Sequence, residues 1–310
     1  MKHILPLLGA LFTFGLLLAS PSAPKKILFF TKSSGFEHSV ISWKKGQPSH
    51  AESVLLDLGK KQGWEFTFSK DGSKFSRDYL AQFDAVFFYT TGNLLEPGTD
   101  GNPGMTAEGK EALFDFVKEG KGFIGTHSAS DTFHTNNESK KGPDRFRNFG
   151  DKADPYVKFL GAEFIKHGAQ QVAMNRVIDP KFPGFETVGK EYGFQEEWYS
   201  LKDFRPDIHV LSVIDAPAMK GTEYQRPPFP STWARKEGDG RVFYTAMGHR
   251  EDVWTNPTFQ SILIGGVRWA LGEVEADVTP NLEAAAPGAL TNPPYVETPP
   301  PAPKPKAKTK

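Results

Sequence analysis

Whatever chemistry this chain performs rests on histidine, aspartate and glutamate, because cysteine is absent from its 310 residues. Thiolate nucleophiles, disulfides and Cys-based zinc sites are excluded together. A bound metal would have to be held by His, Asp and Glu. Three histidines stand just beyond short apolar runs: His38 closes KILFFTKSSGFEH, His127 lies in GKGFIGTHSASD, and His249 lies in GRVFYTAMGHRED. A fourth run, FDAVFFYTTG, ends at Thr90. An imidazole in such a place serves as a general base near neutral pH when a carboxylate orients it, or as a metal ligand. Asp131 and His134 follow His127 within one or two turns, and Ser128 adjoins it. His127, Asp131 and His249 are therefore the candidate catalytic acid and base groups, with His38, Thr90, Ser128 and His134 as candidate contacts to substrate. Each also has a plain structural reading, as a loop histidine or a satisfied hydrogen-bonding group.

The elements that must position these residues follow from the same runs. Apolar or β-branched stretches between Gly, Asp and Lys breaks read as strands buried on both faces, which is the pattern of a parallel sheet. Ligands of open parallel sheets bind beyond the carboxyl ends of the strands, so the four run ends are expected to converge. Helices fill the intervals. Ser49 with Glu52 forms a capping-box pattern and Gly63 ends that helix; Thr106 opens a second that stops at Gly120; Asn256 and Pro257 open a third that stops at Gly272. Strand, helix and strand at this spacing imply right-handed crossovers. From about Phe133 to Pro230 the rhythm breaks. Strands predicted at Gln171 to Ile178 and Ile208 to Ile214 make this inserted region partly antiparallel.

That region adds Glu196 and Glu197 beside Trp198 and Tyr199, a pairing suited to sugars. Carboxylates accept hydroxyl hydrogen bonds while aromatic faces cover the apolar side of a pyranose. Strand alternation favours Glu197 as the inward carboxylate, with Trp198 on the opposite side. His167 and Gln170 line the rim of the inserted region. Arg250, beside His249, is placed to clamp a hydroxyl or carboxylate, or to pair with Glu251.

Thirty-seven basic and 37 acidic residues cancel, so no global field argues for nucleic acid, and a small neutral ligand fits better. No G-x-G-x-x-G, P-loop or H-E-x-x-H pattern occurs, so no nucleotide cofactor is indicated. Lys2 and His3, the apolar stretch Ile4 to Ala19 and the small residues through Ala23 have the layout of a secretory signal peptide, too short for a comfortable membrane span. Residues 1 to 23 are expected to be removed, or else kept as a membrane anchor, giving an exported, periplasmic or extracellular protein. Residues 24 to 274 form one domain, and the Pro, Ala and Lys-rich stretch 275 to 310 is expected to be a disordered tail.

Taken together, GFEHSVI, FDAVFFYTTG, FVKEGKGFIGTHSASD, LGAEFIKHGAQQ, EEWYSL, TWARKEGDGRVFYTAMGHRED and FQSILIGGVRWALG resemble the ThuA-like (trehalose utilisation) family over residues 25 to 272. The resemblance implies a flavodoxin-like α/β fold similar to class I glutamine amidotransferases, with helices on both faces of a parallel sheet. In those enzymes a cysteine follows the strand matching GFIG. Thr126, His127 and Ser128 occupy that turn here, so shared fold does not carry shared function. The resemblance also implies a sugar context: a trehalose-type disaccharide, a glycoside or a 3-keto sugar. The function classes are then acid and base chemistry at the His, Asp and Glu residues, a metal-dependent hydrolase using an ion such as zinc held by residues among His38, His127, Asp131, His134 and His249, or non-catalytic sugar recognition.

Overall fold

The computed structural model describes residues 23–44, 46–99, 101–135 and 142–297. The expected signal segment, up to residue 22, and the last thirteen residues lie outside them. Eleven strands are described: β1 (Lys25–Phe30), β2 (Trp64–Ser69), β3 (Ala85–Phe88), β4 (Gly122–Thr126), β5 (Glu163–His167), β6 (Gln171–Val177), β7 (Glu191–Glu196), β8 (Tyr199–Lys202), β9 (His209–Ile214), β10 (Phe229–Glu237) and β11 (Gly240–Thr245). The helices are α1 (His50–Gln62), α2 (Arg77–Leu80), α3 (Ala107–Lys118), α4 (Pro155–Leu160), α5 (Glu251–Trp254), α6 (Pro257–Ala270) and α7 (Leu282–Ala285). No described helix is long and apolar enough to cross a membrane.

Nine strands form one sheet in the order β2-β1-β3-β4-β11-β10-β9-β6-β7. The first five are parallel and the rest pair antiparallel. The four apolar runs are thus adjacent strands, β1, β3, β4 and β11, all pointing the same way. Their burial on both faces follows from helices on each side. Gly122 in β4 lies under α6, where an added Cβ would stand 2.6 Å from the Ala270 carbonyl. The next residue, Phe123, packs its ring 4.8 Å from Phe159 of α4 on the other face.

The helix boundaries sit where the capping signals put them. Ser49 and Glu52 make the reciprocal box, with Gly63 left-handed at the other end of α1. The Thr106 side chain accepts from Gly109 N to open α3, and Asn256 caps α6 ahead of Pro257. The antiparallel half contains both strands expected in the inserted region, with β5 and β8 forming a separate pair.

The expectation of a disordered tail from residue 275 is corrected for residues 275 to 297. Asn281 mimics a strand residue, its Oδ1 accepting from Val210 N at 2.6 Å. Arg226, buried, donates through Nη2 to Ala289 O at 2.6 Å, and Arg176 donates to Ala285 O at 3.3 Å. Leu282, Ala285, Ala286 and Ala289 are buried. A segment poor in apolar groups is held here because it supplies carbonyls to cations fixed in the sheet domain.

A chain ended before Thr279 should therefore lose about 3 kcal/mol of stability, from the exposed Leu282 site and the loss of the Ala289 carbonyl from Arg226 Nη2. A leftward shift of the urea midpoint relative to the full chain measures it; an unchanged midpoint would show that the segment contributes nothing.

Candidate functional site

His127 begins where β4 ends, and its backbone is left-handed, φ 43°, at the entry to a 3₁₀ turn (His127–Asp131). Such a conformation at a non-glycine residue costs of order 1–3 kcal/mol and persists only where surroundings impose it. They do: the His127 carbonyl accepts from Tyr244 Oη at 2.7 Å and Ser130 Oγ at 3.1 Å. The imidazole Nδ1 lies 3.2 Å from Ala246 O, so it carries the proton and Nε2 faces inward with its lone pair.

His249 is set by a turn gripped from both sides. Gly248, at φ 121°, takes a conformation open to glycine, and its carbonyl accepts from Tyr89 Oη at 3.0 Å and Trp254 Nε1 at 2.8 Å. The next two amides, His249 N and Arg250 N, each donate to one oxygen of the Glu196 carboxylate at 3.0 Å. Glu196 is fully buried. Burial pushes its pKa up to about 7 against those two hydrogen bonds.

Four side chains converge between these anchors. His249 Nδ1 lies 3.3 Å from His127 Nε2 and 3.2 Å from Glu197 Oε2. The same carboxylate oxygen is 3.7 Å from His127 Nε2 and 3.9 Å from His38 Nε2. One ligand-type atom from each of His38, His127, Glu197 and His249 lies within 4.8 Å of the others. Tetrahedral zinc with bonds of about 2.1 Å separates its ligand atoms by about 3.4 Å, so atoms spread over as much as 4.8 Å would have to close by up to about 1.4 Å around an ion. His127 already donates its outer N–H to a backbone carbonyl, as metal-bound imidazoles do.

The electrostatics follow from burial and from Glu197. Burial holds His38 well below the ordinary histidine value, with the neighbouring His127 and His249 adding to the effect. Burial likewise lowers His127, although Glu197 opposes it. Burial also works against charge on His249, but its hydrogen bond to Glu197 outweighs this and raises the pKa. Glu197 would be raised by burial, yet His127 and His249 hold it far below the usual carboxylate range. The centre thus combines two neutral imidazoles, one imidazole favouring a proton, and a carboxylate.

Of the residues read from the sequence, His38, His127, His249 and Glu197 are together, from three parallel strand ends and the β7–β8 junction. His167 is at the rim, Nδ1 3.3 Å from Glu197 Oε1 and 42% exposed. Arg250 is also there, but it pairs with Asp252 rather than Glu251.

Several assignments are corrected. Asp131 is not the carboxylate of His127; its Oδ1 lies 2.5 Å from His134 Nε2, because four residues along a 3₁₀ turn rotate it away. His134 is buried in that second network, with Glu163 Oε1 at 2.9 Å and Arg145 Nη1 at 3.0 Å. Thr90 is buried and bonded to Thr132 Oγ1 at 2.8 Å, tying strand end to turn. Ser128 is fully buried, so no substrate reaches it in this conformation. Trp198 is 1% exposed, its Nε1 donating to Phe194 O, and offers no stacking face. Alternation failed at Glu196 because β7 ends there: both glutamates serve the site.

Tyr199 was missed. Its ring lies 4.2 Å from that of His127 and its hydroxyl 3.4 Å from His38 Nε2. Burial, with Asp131 and Glu197, raises it well above the usual phenol value, so it keeps its proton. Its place after EEW was the only signal.

The architecture and centre define an α/β protein of the flavodoxin-like class, with imidazoles gathered at the ends of its parallel strands. The family model for ThuA, trehalose utilisation, matches residues 26–270, and the chain belongs to that family. Among solved structures, it is similar to a ThuA-like protein from Bacteroides uniformis at 18% identity and TM-score 0.58, covering 83% of this chain and 95% of that one. A ThuA-like protein from Parabacteroides merdae gives 17% and 0.52, covering 88% and 98%. A protein described as cytoplasmic from Salmonella typhimurium gives 15% and 0.51, covering 81% and 100%. At these identities the likeness shows the fold. No curated protein matches the chain.

Replacing Glu196 by Gln puts an amide N–H against one of two backbone N–H groups, so Glu196→Gln should destabilise the fold by about 1–3 kcal/mol in urea titration; no loss would mean the turn does not rely on it. Glu197, held below its unfolded value of 4.5, contributes stability that is fully present above that pH and lost as pH falls through and below it. Urea midpoints followed downward from pH 4.5 should therefore fall more steeply in the wild type than in Glu197→Gln; parallel curves would contradict the pairing.

Proposed function

We propose that this chain is an exported enzyme of carbohydrate breakdown that works with a divalent ion of the zinc type. His38 Nε2, His127 Nε2, His249 Nδ1 and Glu197 Oε2 would hold the ion. The observation that carries the reading is the convergence of three imidazoles and one carboxylate on one point, with the ring of His127 already locked in a ligand tautomer. Trehalose-type disaccharides and glycosides, including their 3-keto forms, are the proposed substrates, supported by the family to which the chain belongs. Export is supported by the residues before Pro24 alone.

A bound ion would supply Lewis-acid polarisation of a substrate oxygen and a more acidic water. The chain supplies the rest. Arg250, Gln170 and His167 present donors at the rim to sugar hydroxyls. Tyr199 holds a phenolic proton beside His38, ready to donate to an oxygen that gains charge. Glu197, kept ionised by its two imidazoles, gives the centre its negative charge.

A second reading rests on the 3.2 Å contact of His249 Nδ1 with Glu197. Metal-free, that pair would act as acid and base at a carbon beside a keto group. Both readings are tested by incubating purified protein with trehalose, sucrose and their 3-keto forms, with and without chelator, and following products by NMR. The metal reading expects turnover abolished by chelator, restored by zinc, and reduced about 100-fold or more in His127→Ala. Turnover indifferent to chelator selects the acid and base pair. Binding without turnover on any sugar overturns the enzymatic reading in favour of recognition.

A further inference from the structure

The side of His249 that faces away from the centre is controlled by residues outside it. Its Nε2 lies 3.0 Å from Nε2 of Gln170, and Oε1 of Gln170 accepts from Arg250 Nη1 at 2.8 Å. A guanidinium has donors and no acceptor, so the amide oxygen must face Arg250 and the amide N–H₂ must face the imidazole. Arg250 is itself held, through Nε and Nη2 to the two oxygens of Asp252 at 2.8 and 3.0 Å and through its backbone amide to Glu196. Turning the Gln170 amide over would set N–H₂ against guanidinium.

We infer that Gln170, oriented by Arg250, is a positioning residue that fixes His249 in the Nδ1–H tautomer, with its proton directed at Glu197, and so sets the centre's balance between a proton and a metal ion. The inference rests on reading these four residues as one centre. Because Nε2 accepts from Gln170, the single proton of a neutral His249 must sit on Nδ1. There it meets Glu197 Oε2 at 3.2 Å and the lone pair of His127 Nε2 at 3.3 Å. For Nδ1 to hold a metal ion, that proton would have to leave. The neutral ring then needs its N–H at Nε2, where it opposes the N–H₂ of Gln170. Loading therefore requires either the amide to flip, which sacrifices its bond to Arg250, or the Gln170 side chain to withdraw. The pair holds the centre in readiness to donate a proton and weakens its hold on metal relative to the same ligands with an acceptor behind His249.

Gln170→Glu reverses the polarity: a carboxylate accepts from Nε2–H and pairs with Arg250. Carboxylate support behind a ligating imidazole changes metal affinity about 10- to 100-fold. Two measurements test the inference on the full chain. Long-range ¹H–¹⁵N correlation of the metal-free protein should show His249 as the Nδ1–H tautomer in the wild type and as Nε2–H in Gln170→Glu. Competition titration with zinc, with all three proteins at one pH, should show affinity raised about tenfold or more in Gln170→Glu and raised less in Arg250→Met, where the freed Gln170 amide can turn. An Nε2–H tautomer in the wild type overturns the inference, as does unchanged zinc affinity in both variants when the wild type binds zinc. If no variant binds zinc, the metal reading of the site fails while the tautomer spectra still decide this inference.

Discussion

The carboxylate of Glu196 is the constraint on which the centre depends. It is buried, it belongs to the last residue of β7, and it takes the amides of His249 and Arg250 from the far side of the sheet. One side chain thereby ties the antiparallel half of the sheet to the loop after β11. The same turn is held from below by Tyr89 and Trp254 on the Gly248 carbonyl. With one peptide oxygen and two successive amides committed, the His249 ring has little freedom left. Glu197, the next residue after the anchor, then reaches the imidazoles as a consequence of where Glu196 is fixed. Burial raises the anchor to about 7 while its neighbour is held far below the usual range. Adjacent carboxyls thus do opposite work: one holds backbone, the other holds charge.

A second cluster of the same residue types lies close by and does something different. His134, Asp131, Glu163 and Arg145 satisfy one another, with Lys202 Nζ 3.8 Å from Glu163. Thr135 closes the remaining Glu163 oxygen at 2.8 Å. Here two basic side chains accompany the carboxylates, so charge is compensated within the cluster and nothing is left to attract a cation. The ring of Tyr199 separates the two sets, packed 4.2 Å from His127 on one side and 4.0 Å from Phe164 on the other. The centre at His127 lacks such cations among its immediate partners; the guanidinium of Arg250, beside His249 in the chain, is engaged by Asp252 and Gln170.

Much of this was legible in the sequence wherever one local rule governed the outcome. Four apolar runs ending in polar groups are necessarily co-directional in a parallel sheet, so His38, His127 and His249 had to reach one rim. Caps at Ser49, Thr106 and Asn256 are short-range hydrogen bonds and read directly. The failures share a different cause. Asp131 was paired with His127 on spacing, but a 3₁₀ turn in place of a longer α-helix rotated it toward His134. Trp198 and Glu196 were placed by strand alternation across a point where the strand stops. Residues 275 to 297 look unable to fold by composition, and their order comes from Arg226, Arg176 and Val210, far away along the chain. Orientation set by distant partners leaves no local trace.

Charge decides what the centre prefers to contain. Burial keeps His38 and His127 neutral, and Glu197 remains ionised, so with His249 neutral the four groups carry about one negative charge in a poorly solvated place. Such a charge is costly unless a cation joins it. A second proton on the His249 ring would cancel it and a divalent ion would do so with charge to spare, but either one leaves N–H at Nε2 facing the Gln170 amide. The two cannot share Nδ1. What tips the competition is the hydrogen bonding around the ring rather than the ligands themselves: a carbonyl behind His127 favours the metal-ready tautomer, while an amide N–H₂ behind His249 favours the neutral ring with its single proton on Nδ1. Ligand identity makes the centre capable of holding a cation, and the polarity of its outer contacts sets how readily it takes one.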